Sequence, residues 1–231
     1  MKYIKVNKKN KRKLKRVKMR NRRLIKKYPW LLPRNVWTDK VPDNYDYSYI
    51  DWGWNVGWDR AFGDMFMKEL GAAIEEEGIR DQFRILQLKE KYGRLECYIS
   101  GGTEKIHRII DKYSYLSENI CVGCGKINVS MINDGWYSPL CYKCFRKNWK
   151  AREQWNKKIY EEEGKSFIPA TEIEIKNCYE KCKCEQDGSL ATSYTTILFC
   201  KGEEETITYD ISETTKKIIE RYNQRYKKCR N

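Results

Sequence analysis

Cys121, Cys124, Cys141 and Cys144 form two Cys-x-x-Cys pairs with sixteen residues between them. Thiol pairs at this spacing are the ligand pattern of a closed tetrahedral Zn²⁺ site. Four protein thiolates leave no open position for water or substrate, so the expected role of the ion is structural. Cys121-Val-Gly-Cys124-Gly125 reads as a zinc knuckle, its glycines letting backbone amides turn toward the sulfurs. Ile127, Val129 and Met131 alternate as a strand, Asn133-Asp134-Gly135 turns, and Trp136-Tyr137 return. Cys141-Tyr-Lys-Cys144 then opens a helix carrying Phe145 and Trp149, and the positive end of its dipole favours the thiolate form. Knuckle, hairpin and a second pair at a helix N-terminus is the order of a treble clef.

Treble clefs also underlie HNH-type nucleases, which need a histidine base on the hairpin and further ligands in the helix. The single histidine is His107, upstream of the first pair, so that chemistry is disfavoured and His107 reads as structural. Asp39, Asp43, Asp46, Asp51, Asp59 and Asp64 could bind Mg²⁺, yet their spacing specifies no metal-dependent nuclease. Cys178, Cys182 and Cys184 share parity on an expected strand and, with Cys200, suggest a second metal site. A two-residue turn at Asp187-Gly188 would put Cys200 on the opposite face, so these read as packed thiols rather than ligands. Cys97 and Cys229 are singletons, and no P-loop, dinucleotide fingerprint or nucleophile elbow is present.

The other chemical feature is charge. The chain has 231 residues and a net charge of +15, concentrated at its start. Residues 1–27 hold fifteen Lys and Arg and no acid, while the remaining 32 Lys and Arg balance the 32 Asp and Glu. Lys8, Lys9, Lys11, Arg12, Lys13, Lys15, Arg16, Lys18, Arg20, Arg22, Arg23, Lys26 and Lys27 are the candidate phosphate contacts. Asn7, Asn10 and Asn21 among them suit base or sugar hydrogen bonds to RNA or DNA. Like charges at this density oppose compaction, so the arm is expected to be disordered or conditionally helical.

The elements that must position these residues follow from periodicity. Tyr28, Trp30, Trp37, Tyr45, Tyr47, Tyr49, Trp52 and Trp54 crowd an irregular stretch punctuated by Pro29, Pro33, Pro42 and Gly53, and read as core anchors. A helix is expected over Asn55–Glu77, with Trp58, Phe62, Met65, Phe66, Leu70, Ala73 and Ile74 on one face. Phe83–Leu88 and Leu95–Ile99 read as a hairpin turning at Tyr92-Gly93, and a second helix is capped by Thr103. Beyond the zinc module and a charged helix to about Glu163, strands are expected near Thr171–Lys176, Tyr179–Glu185, Leu190–Cys200 and Thr206–Ile211. A helix after Ser212 closes the chain.

The expected fold is α+β: a treble-clef-type zinc module (119–163) between an N-terminal α/β domain (28–118) and a C-terminal antiparallel β-meander with closing helix (164–231). No apolar run suits a membrane span, and the lysine-rich start lacks the core of a secretory signal, so a cytoplasmic location is expected. In a reducing compartment the ten cysteines read as ligands and buried thiols rather than disulfides.

Tyr28-Pro-Trp-Leu-Leu-Pro-Arg-Asn35, Trp37-Thr-Asp39, Asp43-Asn-Tyr-Asp-Tyr-Ser-Tyr49, Trp58-Asp-Arg-Ala-Phe-Gly63 and Gln87-Leu-Lys-Glu-Lys-Tyr-Gly93 precede the cysteine pairs. Together these segments resemble uncharacterised small zinc-finger-like proteins of bacteriophages and mobile elements, over about residues 28 to 150; Ile50–Val56 departs from that pattern. The resemblance carries no catalytic residue. It implies a phage or prophage accessory protein in a bacterial host, where such proteins often act on nucleoprotein machinery, defence complexes included. The leading expectation is therefore non-catalytic binding of nucleic acid or a host nucleoprotein complex through the arm. Next stands a protein-interaction inhibitor of a host defence effector, such as a CRISPR complex, and third a metal-dependent nuclease.

Overall fold

The structure is a computed structural model. It describes residues 8–32, 34, 38, 40–41, 56–184, 188–200 and 203–228. Trp37, Tyr45, Tyr47, Tyr49, Trp52, Trp54, Asp39, Asp43, Asp46, Asp51, Cys229 and the Asp187 half of the expected turn lie outside the described residues. The chain divides into two compact units. One comprises Met1–Trp54, Met65–Lys89 and Glu96–Ile110, the other Asn55–Asp64, Glu90–Leu95 and Asp111–Asn231.

The first unit begins with α1 (Lys8–Lys27), a helix of twenty residues. Lys26 and Lys27 complement the negative end of its dipole. Among the described side chains its anchorage lies in its last turns. Asn21 is buried, and Tyr28 is buried just beyond the helix with its ring 5.3 Å from Trp30. The 3₁₀ turn Pro29–Leu31 places Trp30 edge-on to Phe83 at 5.6 Å, both rings buried. In α3 (Asp64–Glu76) the buried Phe66, Met67, Leu70, Ala73 and Ile74 recur at helical spacing, and Gly71 lies against the Tyr28 ring. These aromatics are core anchors.

Strands β1 (Arg84–Lys91) and β2 (Arg94–Ser100) pair as a two-stranded sheet, and α4 (Glu104–Ser117) follows; all three run across the boundary between the units. The turn is at Tyr92-Gly93, both with positive φ, 51° and 82°. That is the conformation of a two-residue hairpin turn matched to strand twist. Thr103 stands before α4, its hydroxyl accepting from the Ile106 amide at 3.5 Å.

The second unit opens with α2 (Val56–Trp58), which passes through a π turn (Asp59–Gly63) into α3. Strands β3 (Met131–Asn133) and β4 (Tyr137–Pro139) form the small hairpin, with Met131 opposite Pro139 and Asn133 opposite Tyr137. Helix α5 (Tyr142–Glu162) follows directly.

The largest departure from expectation lies next. Thr171–Lys176 and Tyr179–Glu185 were expected as strands, but Glu172–Lys181 is a helix, α6. Thr171 caps it in a capping box: its hydroxyl accepts from the Glu174 amide while Glu174 accepts from the Thr171 amide. Ile175 and Tyr179, one helical turn apart, are the residues it buries. Tyr179 packs on Phe145 at 5.3 Å and donates its hydroxyl to the Leu140 carbonyl at 3.0 Å, while Arg146 pairs with Glu172. The C-terminal β-meander is thereby corrected. Among the described residues that region holds one hairpin, β5 (Ser193–Cys200) with β6 (Glu203–Asp210), and then α7 (Ser212–Lys228). Tyr194 links the hairpin inward, stacking on Tyr115 at 5.0 Å, and Arg221 of α7 pairs with Asp64 at 2.5 Å.

Candidate metal centre and basic helix

The four cysteines come together. One donor atom from each of Cys121, Cys124, Cys141 and Cys144 lies within 4.8 Å of all the others. Cys141 Sγ is 3.7 Å from both Cys121 Sγ and Cys124 Sγ. Thiolates bound to one tetrahedral ion at a Zn–S distance of about 2.3 Å stand about 3.8 Å apart, so the donor set fits such an ion. Among the described residues no other group of three or more His, Cys, Asp or Glu is so close.

Local structure positions each sulfur. The Cys121 amide bonds the Lys126 carbonyl at 2.8 Å and the Gly125 amide returns to the Cys121 carbonyl at 2.8 Å, closing the knuckle. Gly125 takes φ +79°, a conformation side chains rarely adopt, and a Cβ there would meet the Gly57 carbonyl at 2.7 Å. A Cβ on Gly123 would stand 2.9 Å from Cys144 Sγ. Cys141 is the N-cap of α5, in extended conformation, and donates its amide to Cys121 Sγ at 3.4 Å. The first turn of α5 then brings Cys144 round, its amide on the Cys141 carbonyl at 3.0 Å.

Electrostatics inside the cluster is one-sided. Hydrogen bonds from Cys121 and Cys124 hold the Cys141 thiol down to about 2. Hydrogen bonding to Cys124 and Cys141 pushes Cys121 strongly up, and burial pushes Cys144 up to about 12. Cys124 is drawn down by Cys121 but driven up by Cys141 and burial, to a net of about 11. A cation among the four sulfurs favours their thiolate forms, and binding one releases protons.

A contribution absent from any local motif comes from α2. The Gly57 amide bonds the Val122 carbonyl at 2.9 Å, and Trp58, fully buried, donates its indole N–H to the Ile120 carbonyl at 2.8 Å. A Cβ on Gly57 would fall 2.0 Å from the Cys121 carbonyl oxygen. The knuckle is therefore held from outside its own loop. No signal near the cysteines points to Gly57 and Trp58, which are separated from them by more than sixty residues.

The remaining sequence candidates separate. Cys178 and Cys182 sit on α6 and at its C-cap rather than on one face of a strand. His107 is exposed on α4. Of the aspartates, Asp59 lies in the π turn and Asp64 pairs with Arg221. On α1, Lys15, Arg22, Arg23, Lys26 and Lys27 are exposed and Lys18 is half-buried. Lys27 Nζ stands 5.0 Å over the Tyr28 ring. Lys8, Lys9, Lys11, Arg12, Lys13, Arg16 and Arg20 belong to the same helix. Among the described residues no helix is long and apolar enough to cross a membrane. Comparison with known proteins finds no matching family, no similar curated protein and no similar solved structure.

Proposed function

We propose that this protein binds nucleic acid, or a nucleoprotein complex, through α1, and that its four-cysteine centre holds a structural Zn²⁺ in a treble-clef module. The observation that carries the reading is a twenty-residue helix without a single acid, with Lys15, Arg22, Arg23, Lys26 and Lys27 open to solvent. A helix of that length spans about 30 Å, enough to follow several phosphates of one strand. Each phosphate neutralised releases counterions, so affinity through this helix falls steeply with salt. The metal centre contributes no reactive group: four thiolates close the coordination sphere of Zn²⁺ and supply folding free energy instead. The resemblance to phage and mobile-element proteins supports a host nucleoprotein complex as the natural setting.

The test is binding of RNA and of duplex DNA across a salt series. The full chain is compared with a variant in which Lys15, Arg22, Arg23 and Lys26 become Gln. For duplex DNA the slope of log affinity against log salt should become shallower by about 3 to 4. Equal affinities and equal slopes for the two proteins would refute the assignment.

A second reading has its own support in the other unit. Trp155, Ile168 and Ile173 are 65%, 87% and 72% exposed, an unusual display of large apolar side chains. They favour a protein-interaction role, such as inhibition of a host defence effector. Stoichiometric capture of one host protein, undiminished in the four-residue variant and lost in Trp155→Ala/Ile168→Ala, would select that reading.

A further inference from the structure

Because Glu172–Lys181 is a helix, the strand register that set Cys200 on the face opposite Cys178, Cys182 and Cys184 does not apply. On α6, Cys178 and Cys182 are four residues apart and therefore face the same way. Their sulfurs lie 3.8 Å apart, the separation that two thiolates sharing one tetrahedral ion require, and close to the 3.7 Å found inside the four-cysteine centre. Both are half-buried and neither is in a disulfide, so an ion could reach them.

The backbone around the pair is held by three hydrogen bonds. The Cys182 amide bonds the Cys178 carbonyl at 2.9 Å. The Asn133 amide donates to the Cys182 carbonyl at 2.8 Å, and the Cys184 amide to the Met131 carbonyl at 2.9 Å. With the bridge between Ile132 and Lys183, these bonds lay residues 182–184 along the edge of β3 as a short third strand. Cys184 is thereby fixed two residues beyond Cys182, and Asp134 follows Asn133 directly. Asp134 is near enough for its charge to act on Cys182, although burial has the larger effect on that thiol. Two sulfurs are already at ligand distance, while the Asp134 carboxylate is engaged by Arg152.

We propose that Cys178 and Cys182 form a second metal site, taking a thiophilic divalent ion of the Zn²⁺ and Cd²⁺ class. Two protein thiolates bind, two protons leave to solvent, and the rest of the coordination sphere is filled from outside the pair. This site differs in kind from the closed one. It has positions to spare, so its ion exchanges readily and can accept an external ligand.

Cd²⁺ is the probe, titrated into the reduced full-length chain and read by native mass spectrometry and by thiolate-to-metal absorbance. The expected result is two Cd²⁺ per wild-type chain and one in Cys178→Ser/Cys182→Ser. The saturating absorbance should fall by roughly a third, as six sulfur ligands become four. One Cd²⁺ in the saturated wild-type chain would overturn the proposal, independently of how the variant folds. So would a second ion that persists when both serines are in place.

Discussion

The four-cysteine centre and the basic helix are organised in opposite ways. Around the cysteines polar groups pair with one another inside the unit: amides on carbonyls, an indole on a carbonyl, an amide on a sulfur. On α1 the charged groups of Lys15, Arg22, Arg23 and Lys26 face water, and the helix is secured by its last turns. The first region is a set of mutual constraints, in which removing one member loosens the others. The second is a rod whose charges stand at the surface. Mutations should therefore be costly to stability in the first region and nearly silent in the second, where the cost falls on binding.

The largest effect expected is from Cys121→Ser. Metal analysis should find the centre empty, and thermal unfolding should show the unit destabilised by several kcal/mol, within the ~10 kcal/mol that a structural zinc can supply. A variant that kept both metal and melting temperature would erase the contrast between the regions. Gly57→Ala comes next. Its Cβ would be driven into the Cys121 backbone carbonyl, at a cost of about 3 kcal/mol in chemical denaturation. Trp58→Phe keeps the ring buried but strips the Ile120 carbonyl of its donor, and should cost about 1–3 kcal/mol by the same assay. Smallest is the change in stability when Lys15, Arg22, Arg23 and Lys26 become Gln, expected within about 0.5 kcal/mol. If that variant melted like Gly57→Ala, the view of α1 as independent surface charges would fail.

The same contrast explains what could be read in advance. The cysteine spacing, the Tyr92-Gly93 turn, Thr103 before α4 and the closing helix α7 are all local signals, in which chemistry and position lie within a few residues of each other. The error over 171–181 arose where two local signals compete. Glu172-Ile173-Glu174-Ile175-Lys176 alternates polar and apolar, which is the period of a strand. Thr171 with Glu174 three residues later is the signature of a helix start, and that cap prevails. Burial agrees with the cap: Ile175 is fully buried while Ile173 is 72% exposed, which no single strand face would produce. Gly57 and Trp58 were illegible for a different reason. Their role is to meet carbonyls more than sixty residues away, and nothing in their own neighbourhood encodes that meeting.

The hydrogen bond from the Gly57 amide to the Val122 carbonyl makes that distant residue an observer. Val122 is the residue between Cys121 and Gly123, so its carbonyl keeps its place only while the knuckle keeps its shape. A proton on the Gly57 nitrogen is shielded from exchange with solvent for as long as that shape persists. Its exchange rate would thus serve as a clock for the occupancy of the cysteine centre, readable without touching a ligand.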